Sequence, residues 1–182
     1  MTDRTIILAS GSPRRQEILD LMGISFQVDA ADVDERCEGN AREVVLALAR
    51  RKAEAVALRH PDEIILAADT VVDCDGILNK PEDAADARRM LRLLSGRWHD
   101  VYTGVCVLHA GELRLDAAHT RVHFTDLTLP EIDRYIATGD PMDKAGAYAI
   151  QGMAGMFIDC IEGCPHNVMG LPMALTKNLL TF

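Results

Sequence analysis

The sequence predicts an α/β protein with a mixed central sheet flanked by helices. Short apolar runs and helical repeats alternate in the first half of the chain, which indicates strands linked by helices. The middle of the chain carries turn signals between strand-like segments, which indicate antiparallel hairpins. Apolar residues make up 48% of the 182 residues, as is typical of a folded domain, and no repeat or linker divides the chain. We therefore expect a single domain over residues 1–182.

The first strand and helix are predicted from adjacent local signals. Thr5–Ala9 is a short apolar run with β-branched residues, which indicates a buried strand. Ser12 is suited to cap a helix whose first residue is Pro13, because the missing N–H of proline needs no partner there. Gly23 then ends the helix. The N-terminus of this helix is therefore expected directly after a strand.

A longer helix and the most apolar strand follow. Asn40 and Glu43 have the spacing of a capping box, so a helix is expected from residue 41 to about residue 59. Residues 64–68 indicate a fully buried strand, and Asp69 is expected at its end. In open α/β sheets, ligands collect at such strand ends.

The rest of the chain is predicted from turn and capping signals. The expected elements are a hairpin turn at Asp75-Gly76, a helix over 83–94, strands over 101–109 and 119–126 around a turn at 110–111, a helix capped by Thr128 and Glu131 that stops at Gly139, and a helix over 171–180.

The charge balance and the apolar pattern exclude some classes of protein. With 28 acidic and 19 basic residues, the net charge of −9 disfavours a general nucleic-acid surface, which needs a basic face. Only 4% of the residues are aromatic, which leaves few stacking platforms for single strands. No apolar run approaches the ~18 residues of a membrane span, no signal peptide is recognised, and the five cysteines fit reduced thiols. We expect a cytoplasmic protein with no membrane partner and no stable nucleic-acid partner.

Ser10, Arg14 and Arg15 lie in the turn between the first predicted strand and helix. The start of a helix offers unpaired N–H groups and a partial positive charge, which attract anions. Hydroxyl and guanidinium groups on the same turn suit phosphate oxygens. The segment lacks the glycines and the lysine of a Walker loop. An ordinary N-cap with two solvated arginines explains it equally well.

Asp69 stands among small and apolar neighbours, where a carboxylate is costly to bury without a partner. It is placed to bind Mg²⁺ or to accept a proton from water, or it caps a turn through its own backbone. Glu35, in the acidic segment 32–35, would complete a pair of metal ligands with Asp69, and Lys52 follows on the next helix. A plain solvated loop is the alternative for the acidic segment.

Two later segments carry further polar candidates. Lys80 lies in a loop made rigid by Pro81, and Gln151 lies near the end of the glycine-punctuated segment 139–152. The Gln151 amide offers both a donor and an acceptor, as reading the edge of a base requires. A surface lysine and a strand-end amide are the alternatives.

Taken in order, these motifs resemble the Maf family of nucleoside triphosphate pyrophosphatases. The resemblance covers nearly the whole chain and rests on several segments in fixed order: Leu-Ala-Ser-Gly-Ser-Pro-Arg-Arg from residue 8, Glu35, Lys52, Ala-Asp-Thr-Val-Val from residue 68, Asn-Lys-Pro from residue 79, Leu-Ser-Gly-Arg from residue 94, Asp-Lys-Ala-Gly-Ala-Tyr-Ala-Ile-Gln-Gly from residue 143 and Val-Met-Gly-Leu-Pro from residue 168. It implies an elongated two-lobed α/β fold with a central cleft, similar to that of the inosine triphosphate pyrophosphatases. It also implies a divalent metal, Mg²⁺ or Mn²⁺, and often a homodimer.

The resemblance also implies roles for individual residues. Asp69 matches the proton acceptor of the family, and Glu35 and Lys52 match its other essential charged positions. The remaining matches are the phosphate-contacting set Ser10, Arg14, Arg15 and Lys80, and the positions associated with substrate choice, Arg14, Thr70 and Gln151. This last combination is similar to the dTTP/UTP branch of the family.

The function that the resemblance implies is metal-dependent hydrolysis of dTTP and UTP to the nucleoside monophosphate and pyrophosphate, as house-cleaning of nucleotide pools. One alternative is a pyrophosphatase of the same family that acts on 7-methyl-GTP. Another is a non-catalytic nucleotide-binding regulator of cell division. Such a regulator would tolerate the loss of Asp69 or Glu35, and both are retained here, which favours an enzyme.

Overall fold

A computed structural model describes residues 5–181 and confirms the mixed α/β class. The strands in this range are β1 (Ile6–Leu8), β2 (Phe26–Val28), β3 (Ile64–Asp73), β4 (Ile77–Leu78), β5 (Trp98–His109), β6 (Glu112–Phe124) and β7 (Ile158–Glu162). The helices are α1 (Pro13–Leu21), α2 (Ala41–Ala57), α3 (Ala84–Leu94), α4 (Leu129–Ile136), α5 (Pro165–Met169) and α6 (Met173–Leu179). Short 3₁₀ turns lie at Asp140–Asp143, Ala145–Ala147 and Met153–Phe157.

The strands form one mixed sheet in the order β2-β1-β3-β5-β6-β7, with β4 paired to β3. Strand β1 runs parallel to both of its neighbours, and its Leu8 lies opposite Leu66 of β3. The pairs β3–β4 and β6–β7 are antiparallel. The sequence predicts this arrangement, in which strands joined by helices pair in parallel on one side of the sheet and hairpins pair antiparallel elsewhere.

The chain divides into two compact units, each with its own core. The first unit comprises the chain up to Asp69, Thr103–Ala118 and the segment from Gly170 onward. The second comprises Thr70–Tyr102 and His119–Met169. Two units agree with the expected two lobes, whereas the cleft and the single domain over residues 1–182 stay predictions.

In the first unit, helix α2 packs its small apolar residues on the parallel strands. Ala49, Ala53 and Val56 form one buried cluster with Ile7 and Ile65. The predicted capping box is confirmed at the start of this helix, where the Asn40 side chain accepts a hydrogen bond from the Glu43 N–H at 3.1 Å and Glu43 accepts one from the Asn40 N–H. Cap and core together fix the axis of the helix that carries Lys52.

In the second unit, an aromatic cluster forms the centre of the core. The ring of Phe124 lies 4.8 Å from that of Tyr148 and 6.2 Å from that of Phe157, and the Tyr135 ring lies 5.5 Å from Phe157. All four of these side chains are buried. This core supports the segment that contains Gln151.

Several element boundaries differ from the sequence-based expectations. Strand β3 was expected to end at Asp69 but continues to Asp73, because Val71 and Val72 remain buried in the sheet. Strand β6 begins at Glu112, directly after the Ala110-Gly111 turn, and not at His119. Strands β2 and β7 and helix α5 were not predicted from the sequence.

Within residues 5–181, no helix combines the length and the apolar character needed to cross a membrane.

Candidate active site

The turn after β1 brings Ser10 and Arg15 into direct contact. Arg15 donates from Nη1 to Ser10 Oγ and from Nε to the carbonyl oxygen of Gly170, both at 2.8 Å. Ser10 Oγ also accepts a hydrogen bond from the N–H of Ser12 at 3.3 Å. The side chain of Ser12, the predicted cap, makes no capping hydrogen bond, and the Ser10 hydroxyl orders the turn instead. A hydroxyl and a fixed guanidinium therefore stand at the start of α1.

Lys52, on α2, bridges the two carboxylates that were predicted to share a site. Its Nζ lies 2.6 Å from Asp69 Oδ1 and 2.7 Å from Glu35 Oε1. The Lys52 and Asp69 side chains are each only 11% exposed, whereas that of Glu35 is 56% exposed. One buried cation thus gathers a buried and an accessible carboxylate at a single point.

The two clusters belong to one electrostatic site within the first unit. Burial lowers the pKa of the Arg15 guanidinium, and the carboxylates of Asp69 and Glu35 oppose this shift while Arg14 adds to it. The charges of Asp69, Glu35 and Arg14 therefore all act on the Arg15 guanidinium. The structure therefore brings together six of the predicted residues, namely Ser10, Arg14, Arg15, Glu35, Lys52 and Asp69.

The register of the sheet explains why distant parts of the sequence meet here. Strand β1 pairs with β3 as far as Leu8 and Leu66, and Ala9 N–H still bonds to the Leu66 carbonyl at 2.8 Å. Ser10 and Asp69 both follow this paired segment. Asp69 was expected at the end of its own strand. It lies instead within β3, beyond the end of the neighbouring strand β1, and this position opens it to a ligand as a strand end would.

The loop that carries Glu35 (residues 29–39, the acidic loop) is held at its start by an anchor that the sequence did not predict. Asp29 accepts two hydrogen bonds from Arg59 at 2.8 Å and lies 2.8 Å from His60 Nε2. The Arg59 and His60 hydrogen bonds lower the pKa of the Asp29 carboxyl to about 2. The signal for this anchor, an arginine and a histidine at the end of a helix, is too common in sequences to be specific.

The donor set at Glu35 and Asp69 fits a magnesium or manganese ion. Among residues 5–181, no group of three or more His, Cys, Asp and Glu side chains is placed to hold a metal. Mg²⁺, however, usually takes one or two protein carboxylates and fills its other positions with phosphate oxygens and water. Two carboxylates held on either side of Lys52, one of them exposed, supply that number of ligands through the oxygens that Lys52 does not contact.

The second unit holds the remaining predicted residues, Thr70, Lys80 and Gln151. Lys80 and Gln151 are exposed, and Thr70 is half-buried. The backbone links the segments that carry Lys80 and Gln151, because Gly146 N–H donates to the carbonyl oxygen of Asn79 at 3.2 Å. These two predicted segments are therefore neighbours in the fold.

Gly146 also fits tightly against β3 of the same unit. Its φ of +68° favours glycine, and a Cβ at this position would lie 2.9 Å from the Val72 side chain. Val72 lies two residues after Thr70 on β3. Gly146 thus serves a close approach of this segment to the strand, which a plain connector would not need.

Buried side chains fix the end of this segment before Gln151. The Tyr135 hydroxyl accepts a hydrogen bond from Ala149 N–H at 3.3 Å, and the Tyr148 hydroxyl lies 2.8 Å from His99 Nε2. Burial lowers the pKa of His99 to about 4 and raises that of Tyr148. The pair is consequently a neutral, buried support rather than a group that titrates near neutral pH.

The fold and the site define an α/β protein with a positively charged turn beside paired carboxylates, which suits a phosphate-bearing ligand and a metal. Comparison with known families agrees. The model of the Maf-like protein family matches residues 5–182. The chain therefore belongs to the Maf family, as its motifs predicted.

Curated relatives match nearly the whole chain. A dTTP/UTP pyrophosphatase of Anaeromyxobacter dehalogenans is 50% identical over 96% of this chain and 92% of its own length. Proteins of the same name from Pelotomaculum thermopropionicum and Bacillus cytotoxicus are 48% and 46% identical, over 97% and 98% of this chain and 95% and 96% of their own lengths. A solved structure, that of a HAM1 protein from Coxiella burnetii, is 15% identical over 66% of this chain and 73% of that chain, with a TM-score of 0.49.

Proposed function

We propose that this protein hydrolyses dTTP and UTP at the bond between the α- and β-phosphates, releasing the nucleoside monophosphate and pyrophosphate. The observation that carries the proposal is the buried Lys52 ammonium between Asp69 and Glu35, in one electrostatic site with Arg15. The names of the relatives, which share 44–50% of their residues with this chain, support the same reaction.

The phosphates are bound by the turn between β1 and α1. Pro13 is the first residue of the helix, so the N–H groups that follow it point toward the turn. Arg14 and Arg15 add two guanidiniums, and the bonds of Arg15 to Ser10 and Gly170 fix its orientation before any ligand arrives. A local cluster of cations thus binds a polyanion despite the acidic character of the whole chain.

Glu35 and Asp69 would hold a Mg²⁺ or Mn²⁺ ion. When bound there, such an ion would neutralise phosphate charge and activate water. The exposed Glu35 side chain is accessible to an ion that arrives with the nucleotide, whereas Asp69 is fixed by Lys52. The ammonium of Lys52 offsets the charge of both carboxylates when no metal is present.

In the reaction itself, the oxygen of a water molecule attacks the α-phosphorus. Asp69 takes one proton from this water through Oδ2, because Lys52 binds Oδ1. The bond from the α-phosphorus to the bridging oxygen breaks, and its electron pair leaves with pyrophosphate. Arg14, Arg15 and Lys52 stabilise the negative charge that shifts toward the leaving group, and such positioned charges supply most of the catalysis in phosphoryl transfer.

The base is selected by Arg14, Thr70 and Gln151, and Lys80 contributes to phosphate binding. These roles rest on the family resemblance. The amide of Gln151 has the donor and the acceptor needed to pair with O4 and N3 of thymine or uracil. The anchored segment before Gln151 would hold that amide in a constant position, which favours discrimination between bases.

We also propose that the reaction takes place in the cytoplasm. A pyrophosphatase that acts on free nucleotides there would serve as a house-cleaning enzyme of nucleotide pools. A homodimer is proposed on the family resemblance alone, and size-exclusion chromatography with light scattering measures it directly.

The experiment that tests the proposed reaction is pyrophosphate release from dTTP, UTP, CTP, ITP and 7-methyl-GTP, with Mg²⁺ or Mn²⁺. We expect release from dTTP and UTP with the matching monophosphate, and its loss in an Asp69→Asn variant. A preference for 7-methyl-GTP would keep the mechanism and overturn the substrate. Binding of nucleotides without hydrolysis would overturn the enzyme and favour a regulator.

Gln151→Ala tests the assignment of base selection. We expect the ratio of kcat/KM between UTP and CTP to fall by about tenfold, which corresponds to one lost hydrogen-bonded pair. The kcat for UTP should change much less. Unchanged selectivity would remove Gln151 from this role.

A further inference from the structure

Arg51 contacts the acidic loop on both sides of Glu35. Its Nη1 donates to the carbonyl oxygen of Asp34, and the same atom donates to the carbonyl oxygen of Arg36 at 3.2 Å. Both acceptors are backbone atoms, and they are the carbonyl groups of the residues that immediately precede and follow Glu35. A single guanidinium on α2 therefore holds backbone carbonyl groups on both sides of a proposed metal ligand.

The anchors at the two ends of the acidic loop lie away from Glu35. Residues 29–39 form no strand or helix, and the anchor at Asp29 and the capping box at Asn40 lie five or six residues from Glu35 along the chain. Asp34 and Arg36 form an ion pair at 2.9 Å, but their side chains are 56% and 91% exposed. Exposed pairs of this kind contribute little to stability, since water and salt screen them.

Arg51 and Lys52 are adjacent on one helix and act on the same loop residue. Lys52 binds the Glu35 side chain, and Arg51 binds the backbone around it. The geometry of Glu35 relative to Asp69 is thus set by two neighbouring side chains of α2, whose own position is fixed by its core and cap. The guanidinium is suited to this role, because its rigid planar donors can serve two carbonyl groups at once.

We propose that Arg51 is a positioning residue for Glu35: it holds the acidic loop so that the Glu35 carboxylate meets Lys52 and Asp69 at one point. In the proposed mechanism, Arg51 touches no reacting atom. The inference rests on the proposed function only in its catalytic consequence, since the fixed loop geometry is a property of the protein alone.

Arg50 provides a matched control on the same helix. It is the same residue type one position earlier, and it pairs with Glu54 at 2.7 Å on an exposed face. Arg50→Ala and Arg51→Ala remove the same number of atoms and the same charge from α2. Only the second variant removes contacts to the acidic loop.

The experiment compares steady-state hydrolysis of dTTP by the wild type, Arg51→Ala, Arg50→Ala, Glu35→Gln and the double variant Arg51→Ala/Glu35→Gln. We expect Arg51→Ala to lower kcat by about tenfold to a hundredfold with KM little changed, as is usual when a supporting residue is lost. Arg50→Ala should stay within about twofold of the wild type. Because Arg51 acts through Glu35, adding Arg51→Ala to Glu35→Gln should lower kcat no further.

Equal kcat values for Arg51→Ala and Arg50→Ala would overturn the proposal. The same holds if Arg51→Ala lowers kcat as much in the Glu35→Gln background as in the wild type, because its effect would then not pass through Glu35. An increase in KM alone would also contradict it, since that would place Arg51 against the substrate.

Hydrogen–deuterium exchange separates this proposal from the proposed reaction. In the ligand-free protein, amides of residues 29–39 should exchange about tenfold faster in Arg51→Ala than in Arg50→Ala. If the wild type releases no pyrophosphate but this difference is found, the proposed reaction fails and the positioning role stands. If exchange in the acidic loop is the same in both variants, the positioning role fails whatever the reaction.

Discussion

Replacing Lys52 with methionine tests how much its contacts with Asp69 and Glu35 contribute to the free energy of unfolding. Methionine keeps most of the length of the side chain and removes the ammonium that lies 2.6 Å from Asp69 and 2.7 Å from Glu35. Asp69 is only 8% exposed, so it would be left as a buried charge without its partner. Glu35 lies mostly in water and can be solvated without Lys52.

The expected magnitudes differ for the two carboxylates. Breaking a buried ion pair on one side costs about 3–5 kcal/mol, and the residual exposure of Asp69 places Lys52→Met near the lower end, at about 3 kcal/mol. Removing the charge of Glu35 by Glu35→Gln should cost less than about 1 kcal/mol, as for other exposed pairs. Two contacts of nearly equal length therefore contribute very unequally to the free energy of unfolding.

The assay is urea denaturation of the metal-free protein, with unfolding monitored by circular dichroism. The double variant Lys52→Met/Asp69→Asn should recover about 2 kcal/mol of the loss, because the asparagine carries no charge that needs a partner. It should nevertheless remain inactive. Arg50→Ala, which removes an exposed cation from the same helix, should cost about 0.5 kcal/mol.

Two results would refute this reasoning. A cost below about 1 kcal/mol for Lys52→Met would mean that water screens the pair with Asp69 as it screens surface pairs. A double variant no more stable than Lys52→Met would mean that the loss comes from packing of the lysine side chain, and not from the stranded carboxylate.

Two further predictions concern the support of the site. An added Cβ at Gly104 would lie 2.3 Å from the carbonyl oxygen of Val45 in α2, so Gly104→Ala should destabilise the protein by about 3 kcal/mol in urea denaturation. Gly11→Ala, which meets only ordinary van der Waals contact, should cost far less, and equal losses would contradict the close approach. Burial lowers the pKa of His99 from 6.5 to about 4. Between these two pH values the unfolded chain binds a proton at His99 and the folded protein does not. Stability should therefore fall by about 2 kcal/mol from pH 7 to pH 5, and His99→Gln should flatten this dependence; an unchanged slope would show that other groups cause it.

Much of the fold could be predicted because its signals are local. The capping box of Asn40 and Glu43 needs only residues three positions apart, and it is present. The Asp75-Gly76 turn needs two residues that tolerate positive φ, and their φ values are 56° and 135°. Such features depend on neighbouring residues, which the sequence specifies directly.

The elements that were missed depend on partners distant in the chain. β2 and β7 have only three and five residues, and their membership in the sheet comes from pairing with β1 and β6. The first half of β6 is half-exposed and lacks a continuous apolar run, so its extended form follows from the hairpin that begins at Ala110-Gly111. Pairing across a sheet overrides weak local propensity at these positions.

The same distinction applies to the site. The residue types at Glu35, Lys52 and Asp69 could be singled out from sequence, but not the fact that one ammonium contacts both carboxylates. Arg51 could not be singled out at all, because its acceptors are backbone carbonyl groups, which every residue carries. A backbone carbonyl accepts a hydrogen bond whatever its side chain is, so the residue type of the acceptor does not reveal such a contact.

The measurement that tests the central claim most directly is hydrolysis of dTTP in water enriched in heavy oxygen, with mass analysis of both products. Attack of water on the α-phosphorus places the label in the nucleoside monophosphate and none in pyrophosphate, and Asp69→Asn should abolish labelled product. Label in pyrophosphate would mean attack at the β-phosphorus, and label in free phosphate would mean attack at the γ-phosphorus. Either result would contradict the mechanism proposed for Glu35, Lys52 and Asp69.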